Sequence, residues 1–216
     1  MKKFELTTEF ITNVFGKKIF RIKALVEFGD VKAGELGGYV EKEENVSQDG
    51  DAWVYGNAEV SGDARVCGDA EVSGDAWVYG DARIYGNARV CGDARIYGNA
   101  RICGDARVYG DAEASSDAWV SGDAWVYGDA RIYGNAEVSG DADYALVQGF
   151  GTEFRCTTFY RGKNKKIMVN CGCFHGDLEE FRKQVKETRS GKIAKEYLMI
   201  ADLMEYHFAS EDSSNE

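Results

Sequence analysis

Between residues 51 and 146 the chain runs small apolar, variable, β-branched, variable, then glycine and aspartate or asparagine, and repeats this every six residues. Gly80-Asp81-Ala82-Arg83-Ile84-Tyr85 is representative. Side chains alternate across a strand, so Ala and Val or Ile share one side and the variable pair takes the other. A six-residue period of this kind predicts a parallel β-helix in which each repeat is one flat side of a coil. Sixteen such repeats fill the stretch. The alanine column runs unbroken from Ala52 to Ala142, and the Val/Ile column from Val54 to Val138 lapses only at Ala114. Both columns are assigned to the interior. At the corners, glycine accepts a positive φ, and Asp or Asn bonds local backbone amides. Turn chemistry therefore explains the acidic corners before any calcium ladder or other function is invoked.

The flanks follow different rules. Phe4-Glu5-Leu6 and residues 19–28 alternate like strands around Phe15-Gly16-Lys17-Lys18, which predicts a β-hairpin cap over residues 1–37. Val40 and Val46 stand six apart as an imperfect first repeat, and the eight-residue step to Val54 leaves room for a two-residue bulge. The β-helix is then expected over 38–146, a C-terminal α+β cap over 147–209 and a disordered tail over 210–216. In that cap, residues 154–159 and 167–173 read as two strands around Arg161-Gly162-Lys163-Asn164. Leu178, Phe181 and Val185 mark one amphipathic helix beginning at Asp177. Beyond Gly191, Ile193, Tyr197, Ile200, Met204 and Phe208 mark another. An open solenoid end must be shielded, which is the plain role of such a cap.

The hexapeptide pattern resembles the left-handed parallel β-helix of the hexapeptide-repeat proteins, whose coils contain three repeats. Residues eighteen apart then stack about 4.8 Å apart. An arginine face carries Arg65, Arg83, Arg101, Trp119 and Glu137, with Cys67, Tyr85 and Cys103 beside them. A mixed face carries Trp53, Glu71, Arg89, Arg107, Trp125 and Asp143. A tyrosine face carries Glu59, Trp77, Arg95, Glu113 and Arg131, with Tyr79, Tyr97 and Tyr133. Residues 28–40 and 45–51 also resemble a run shared by uncharacterised bacterial and phage-encoded hexapeptide-repeat proteins, often classed with acyltransferases by fold alone. That resemblance implies a phage or prophage origin and brings no catalytic residues.

Charge narrows the functional classes. The chain carries −11, and residues 51–143 hold seventeen acids against seven arginines and no lysine, so the rod supplies −10 of it. Such a rod repels nucleic acid directly, yet it suits a basic host protein. The corner aspartates Asp63, Asp81 and Asp117 on one edge, and Asp75, Asp93, Asp111 and Asp129 on another, are the candidate charge mimics. All four tryptophans lie on outward columns, and aromatics with arginine are enriched at protein interfaces. Trp53, Trp77, Arg83, Tyr85, Arg89, Arg101, Arg107, Tyr109, Trp119, Trp125 and Tyr127 are therefore the interface candidates, with self-association as a dimer or trimer the first use. The competing reading is that these aromatics stack along strands and cover arginine stems.

Catalytic signals are sparse. A hexapeptide acyltransferase needs a histidine base, and the only histidines, His175 and His207, fall in the C-terminal cap. No catalytic or cofactor-binding residue is assigned. Cys156, Cys171, Cys173 and His175 offer zinc-type ligands, but the run Cys171, Cys173, His175 alternates along an extended strand, which spreads it too widely for one ion. Met1-Lys2-Lys3 leads into no apolar run and the six cysteines suit reduced thiols. The expectation is a cytoplasmic location without membrane insertion, in the host cytoplasm if the chain is phage-encoded. The functional expectation is a non-catalytic binding or scaffold protein. An acyltransferase using acyl-coenzyme A and a mechanical spacer or virion component are the alternatives.

Overall fold

The computed structural model describes residues 1–152, 154–163 and 165–209. Fifteen two-residue strands, β4 (Trp53–Val54) to β18 (Glu137–Val138), follow one another every six residues and wind into a three-sided β-solenoid. Each strand pairs in parallel with the strand eighteen residues on. Arg65 lies beside Arg83, Arg83 beside Arg101 and Arg101 beside Trp119. Trp77, Arg95, Glu113 and Arg131 stack likewise on the tyrosine face. Glu71, Arg89, Arg107 and Trp125 stack on the mixed face. Inside, the alanine and Val/Ile columns are fully buried from Ala52 to Val138. The repeat pattern thus sets both the register and the core.

Glycine at the corners is required twice over. Gly74 sits at φ +72, and a Cβ there would meet the Gly92 backbone nitrogen at 2.9 Å and its oxygen at 3.0 Å. At such a turn the coils stack too closely for a Cβ to enter without a shift. Asparagine enters some corners as a donor to the next coil: Asn57, Asn87 and Asn99 give Nδ2–H bonds to Asp75, Asp105 and Asp117 at 3.1, 2.9 and 3.1 Å. One repeat departs from the rule. Ser116 takes the glycine position at φ 61, next to the undersized Ala114, whose column neighbours Ile96 and Ile132 supply larger side chains on either side.

The N-terminal cap is a sheet that merges with the tyrosine face. Strands β1 (Phe4–Thr12) and β2 (Lys18–Ala24) form the expected hairpin, and β3 (Leu36–Val40) is antiparallel to β2 but parallel to Glu59–Val60. β3 therefore straddles the boundary expected at residue 37. Val40 pairs with Val60, and Val46 bridges to Val66, twenty residues apart rather than eighteen. The two extra residues lie before Val54, as the long step implied. Polar side chains close this end of the coil. Lys3 Nζ donates to the Gly50 and Ala52 carbonyls at 3.0 and 2.9 Å, and burial pulls its ammonium below the usual lysine range. Buried Asn45 donates to Gly62 and Ala64 at 3.1 and 2.8 Å.

At the other end the structure corrects the repeat reading. The sixteenth repeat forms no coil strand: Asp141–Asp143 is a 3₁₀ turn and Ala142 is exposed, not interior. Asp143 consequently leaves the mixed-face column. The aspartates cap the last coil instead, Asp141 accepting from Trp125 N at 2.8 Å and Asp143 from Ser139 N at 2.9 Å. The cap sheet has four antiparallel strands where two were expected: β19 (Tyr144–Phe150), β20 (Arg155–Arg161), β21 (Ile167–Cys171) and β22 (Phe174–Asp177). Of β19 only residues 144–146 were expected in the repeat, and β22 lies in a stretch for which no strand was expected. Helices α1 (Leu178–Thr188) and α2 (Gly191–Phe208) form as predicted, α1 behind an Asp177/Glu180 capping box. The tail at 210–216 and Asn164 of the predicted turn lie outside the described residues. No helix among the described residues is long and apolar enough to cross a membrane.

Candidate interaction surface

The outward columns are where the register puts them, but the three faces are chemically unlike. The tyrosine face satisfies itself. Tyr79 and Tyr97 stack with ring centroids 5.0 Å apart and planes 2° from parallel, and Phe15 from the hairpin tip packs on Tyr79 at 5.1 Å. Arg95 lies over the Trp77 ring at 5.4 Å and within 3.8 Å of Glu113. Glu113 in turn accepts the Tyr133 hydroxyl. Burial, followed by the hydrogen bond to Glu113, raises the Tyr133 phenol well above its ordinary range.

The mixed face is half covered. Trp53, a candidate for surface contact, is fully buried. Phe4 and Phe28 meet its ring edge-on at 5.8 and 5.3 Å. A Cβ on Gly37 would come within 2.7 Å of Trp53 Cζ2, so the glycines of the lead-in segment let β3 close over the ring. A period-six pattern says which way a side chain leaves the coil, not what the cap lays over it. Farther along, Arg89 pairs with Glu71 at 3.6 Å and Arg107 covers Trp125 at 4.8 Å. Tyr109 stacks on Tyr127 at 6.3 Å. Trp125 and Tyr127 remain 42% and 52% exposed.

The arginine face is the exception. Arg65, Arg83 and Arg101 are exposed and stacked in consecutive coils. Among the described residues none of the three forms an ion pair or a side-chain hydrogen bond. Stacked like charges repel. Together with Cys67 and Tyr85 they line a groove of about 380 Å³. A second depression of about 290 Å³ adjoins it, between Arg101, Trp119 and Lys163. On the same face buried Cys103 accepts from Trp119 Nε1 at 3.1 Å. Trp119 is nonetheless 41% exposed. All seven candidate corner aspartates, Asp63, Asp75, Asp81, Asp93, Asp111, Asp117 and Asp129, are exposed as well, and Asp63 is paired with Lys42 at 2.6 Å.

The zinc-type residues take other work. Cys171 and Cys173 do not lie along one strand, because the chain turns at Gly172-Cys173 and Cys171 pairs with Phe174. Thr157 Oγ1 donates to Cys171 Sγ at 3.1 Å. Burial pushes the Cys156 thiol up to about 11 and also raises Cys67 and Cys91. All three stay protonated near neutrality, which suits packing better than nucleophilic attack. Among the described residues no three His, Cys, Asp or Glu side chains converge on one ion position.

His175 belongs to a directed polar network that periodicity could not reveal. Buried Asn170 donates Nδ2–H to Arg131 O at 2.8 Å, which leaves its Oδ1 to accept from His175 Nδ1 at 2.7 Å. The same amide reaches the Tyr160 hydroxyl at 3.2 Å. His175 Nε2 then faces Gly134 on the last coil, beside a pocket of about 400 Å³ lined also by Asn135, Gly162, Lys163 and Met168.

Fold and surface together define a capped β-solenoid with one unpaired basic face. Residues 64–80, 82–98 and 100–113 match the YdcK beta solenoid repeat, a likeness confined to the middle of the rod. A search of curated proteins finds no match for the chain.

Proposed function

We propose that this β-solenoid is a non-catalytic scaffold that works through protein–protein contacts of its outer surface, self-association first among them. The observation that carries this reading is the arginine face. Arg65, Arg83 and Arg101 stand unpaired beside exposed Trp119, on a rod whose other two faces bond largely within themselves. Arginine and tryptophan in partly desolvated grooves are the usual anchors of interfaces. The acidic corners offer the same rod to a basic host protein, in keeping with a phage or prophage origin, and such a complex weakens steeply with salt. The test is the native mass of the purified protein and the identity of any protein it retains. A multimer or a stoichiometric partner is expected. A bare monomer at high concentration contradicts the proposal.

A second reading, acyl transfer from an acyl-coenzyme A, is favoured by one observation: Asn170 holds His175 with Nε2 open to a pocket on the last coil. A ligand that binds the native state raises its melting temperature. Acetyl-coenzyme A at saturating concentration should therefore stabilise the protein under this reading and leave it unchanged under the first.

A further inference from the structure

Two ladders of opposite charge run along opposite sides of the rod. The arginine ladder occupies the centre of one face. The corner opposite that face, between the mixed and tyrosine faces, carries Asp75, Asp93, Asp111 and Asp129 in consecutive coils with no asparagine among them. All four are exposed, and none forms an ion pair among the described residues. Each ladder repeats every eighteen residues, hence at one strand spacing of about 4.8 Å. Each keeps like charges together, at a cost the isolated chain does not offset. The corners that border the arginine face are each interrupted within the rod, one by Asn87 and the other by Asn99 and Asn135, and Lys42 neutralises Asp63, whereas the one asparagine of the far corner, Asn57, stands at its first coil and donates to Asp75. The far corner therefore carries an unbroken acidic run of four coils.

We propose that the arginine face is the docking site for the aspartate corner of a second copy of this chain, with Arg65, Arg83 and Arg101 seated against Asp75, Asp93 and Asp111. Spacing selects this occupant. An extended acidic peptide presents same-side carboxylates about 6.8 Å apart, two residues at about 3.4 Å each, and falls out of step with the ladder within three charges. Nucleic-acid phosphates, about 3.4 Å apart along the axis of each strand, fall out of step as well. Another solenoid edge has the same rise and stays in step along its length. Carboxylate and guanidinium bond as charge-assisted pairs, and Tyr85 and Trp119 flank the seat. The contact is heterologous: each copy offers its face to one neighbour and its corner to another, which generates a closed ring or an open array.

This inference rests on the self-association reading, and two charge-reversed variants separate the two. One carries Arg83→Glu and Arg101→Glu, the other Asp93→Arg and Asp111→Arg. Sedimentation at about 50 mM salt should show the wild type associated. Each variant alone should need at least a tenfold higher concentration to associate. An equal mixture should regain the wild-type mass, because the acidic face of one then meets the basic corner of the other. Melting curves confirm folding, and the neutral pairs Arg83→Gln/Arg101→Gln and Asp93→Asn/Asp111→Asn replace any variant that does not fold, with weakened association expected of each. An associated wild type that neither variant disturbs overturns the ladder pairing and leaves self-association standing. Loss of association that mixing does not restore also overturns the pairing. A wild type that stays monomeric overturns both.

Discussion

The tyrosine face and the arginine face are built on the same backbone, from strands of equal length, over the same inward columns. What differs is how the outward positions are filled. On the tyrosine face Arg95 has Trp77 below it and Glu113 above, and the acid also serves Tyr133. On the arginine face the same lattice positions hold three arginines in succession. A repeat fold supplies its stability from the inside, so its faces are free to be either closed or left open to a partner. The contrast locates function in the outward residues and stability in the inward ones.

The largest expected effect concerns what the faces share. Ile102→Asp, beneath the arginine face, and Ile96→Asp, beneath the tyrosine face, each bury an unpaired charge and should each cost about 3–5 kcal/mol in chemical denaturation. Unequal costs would break the premise of a common core. Alkaline pH comes next. Burial raises Tyr160 to about 12, and Tyr133 is raised too. In the unfolded chain tyrosine ionises near pH 10. The stabilisation is therefore complete below about pH 10 and is lost as pH rises towards 12. Tyr160 alone should account for about 2–3 kcal/mol of this loss, read from melts across that range. The tyrosine face carries the next effect: Glu113→Ala should cost about 1–2 kcal/mol by stripping Tyr133 of its acceptor and Arg95 of its ion-pair partner. Ser116→Gly should stabilise by about 0.5–1 kcal/mol, because it relieves a positive φ in a residue with a Cβ. Smallest of all, Arg83→Ala should change monomer stability by no more than about 0.5 kcal/mol. It should instead weaken association. A cost equal to that of Glu113→Ala would erase the distinction between the faces.

Much of this was legible in the sequence. The inward columns, the three outward faces and the bulge before Val54 follow from counting residues, because a repeating coil turns local spacing into register. Legibility stopped where the repeat stopped. Asp141 kept the corner position and Asp143 the outward one, but both serve as caps, and Tyr144 opens a cap strand despite standing where a repeat residue would. Trp53 is outward by count and buried by Phe4 of the hairpin and Phe28 of the lead-in segment, both distant in sequence. The Asn170–His175–Tyr160 network joins the cap sheet to the last coil through contacts that no spacing encodes. What composition did show, an arginine-rich column on an acidic rod, became informative only when its neighbours proved unable to pair with it.

The most direct test of the central claim compares the two faces within one sample. Hydroxyl-radical oxidation can be read at Tyr85 and Trp119 on the arginine face, and at Tyr79 and Tyr97 on the tyrosine face, as protein concentration rises. Association through the arginine face predicts growing protection of Tyr85 and Trp119 while Tyr79 and Tyr97 stay unchanged. Protection of the tyrosine face instead, or of neither face at concentrations where the protein is associated, would contradict it.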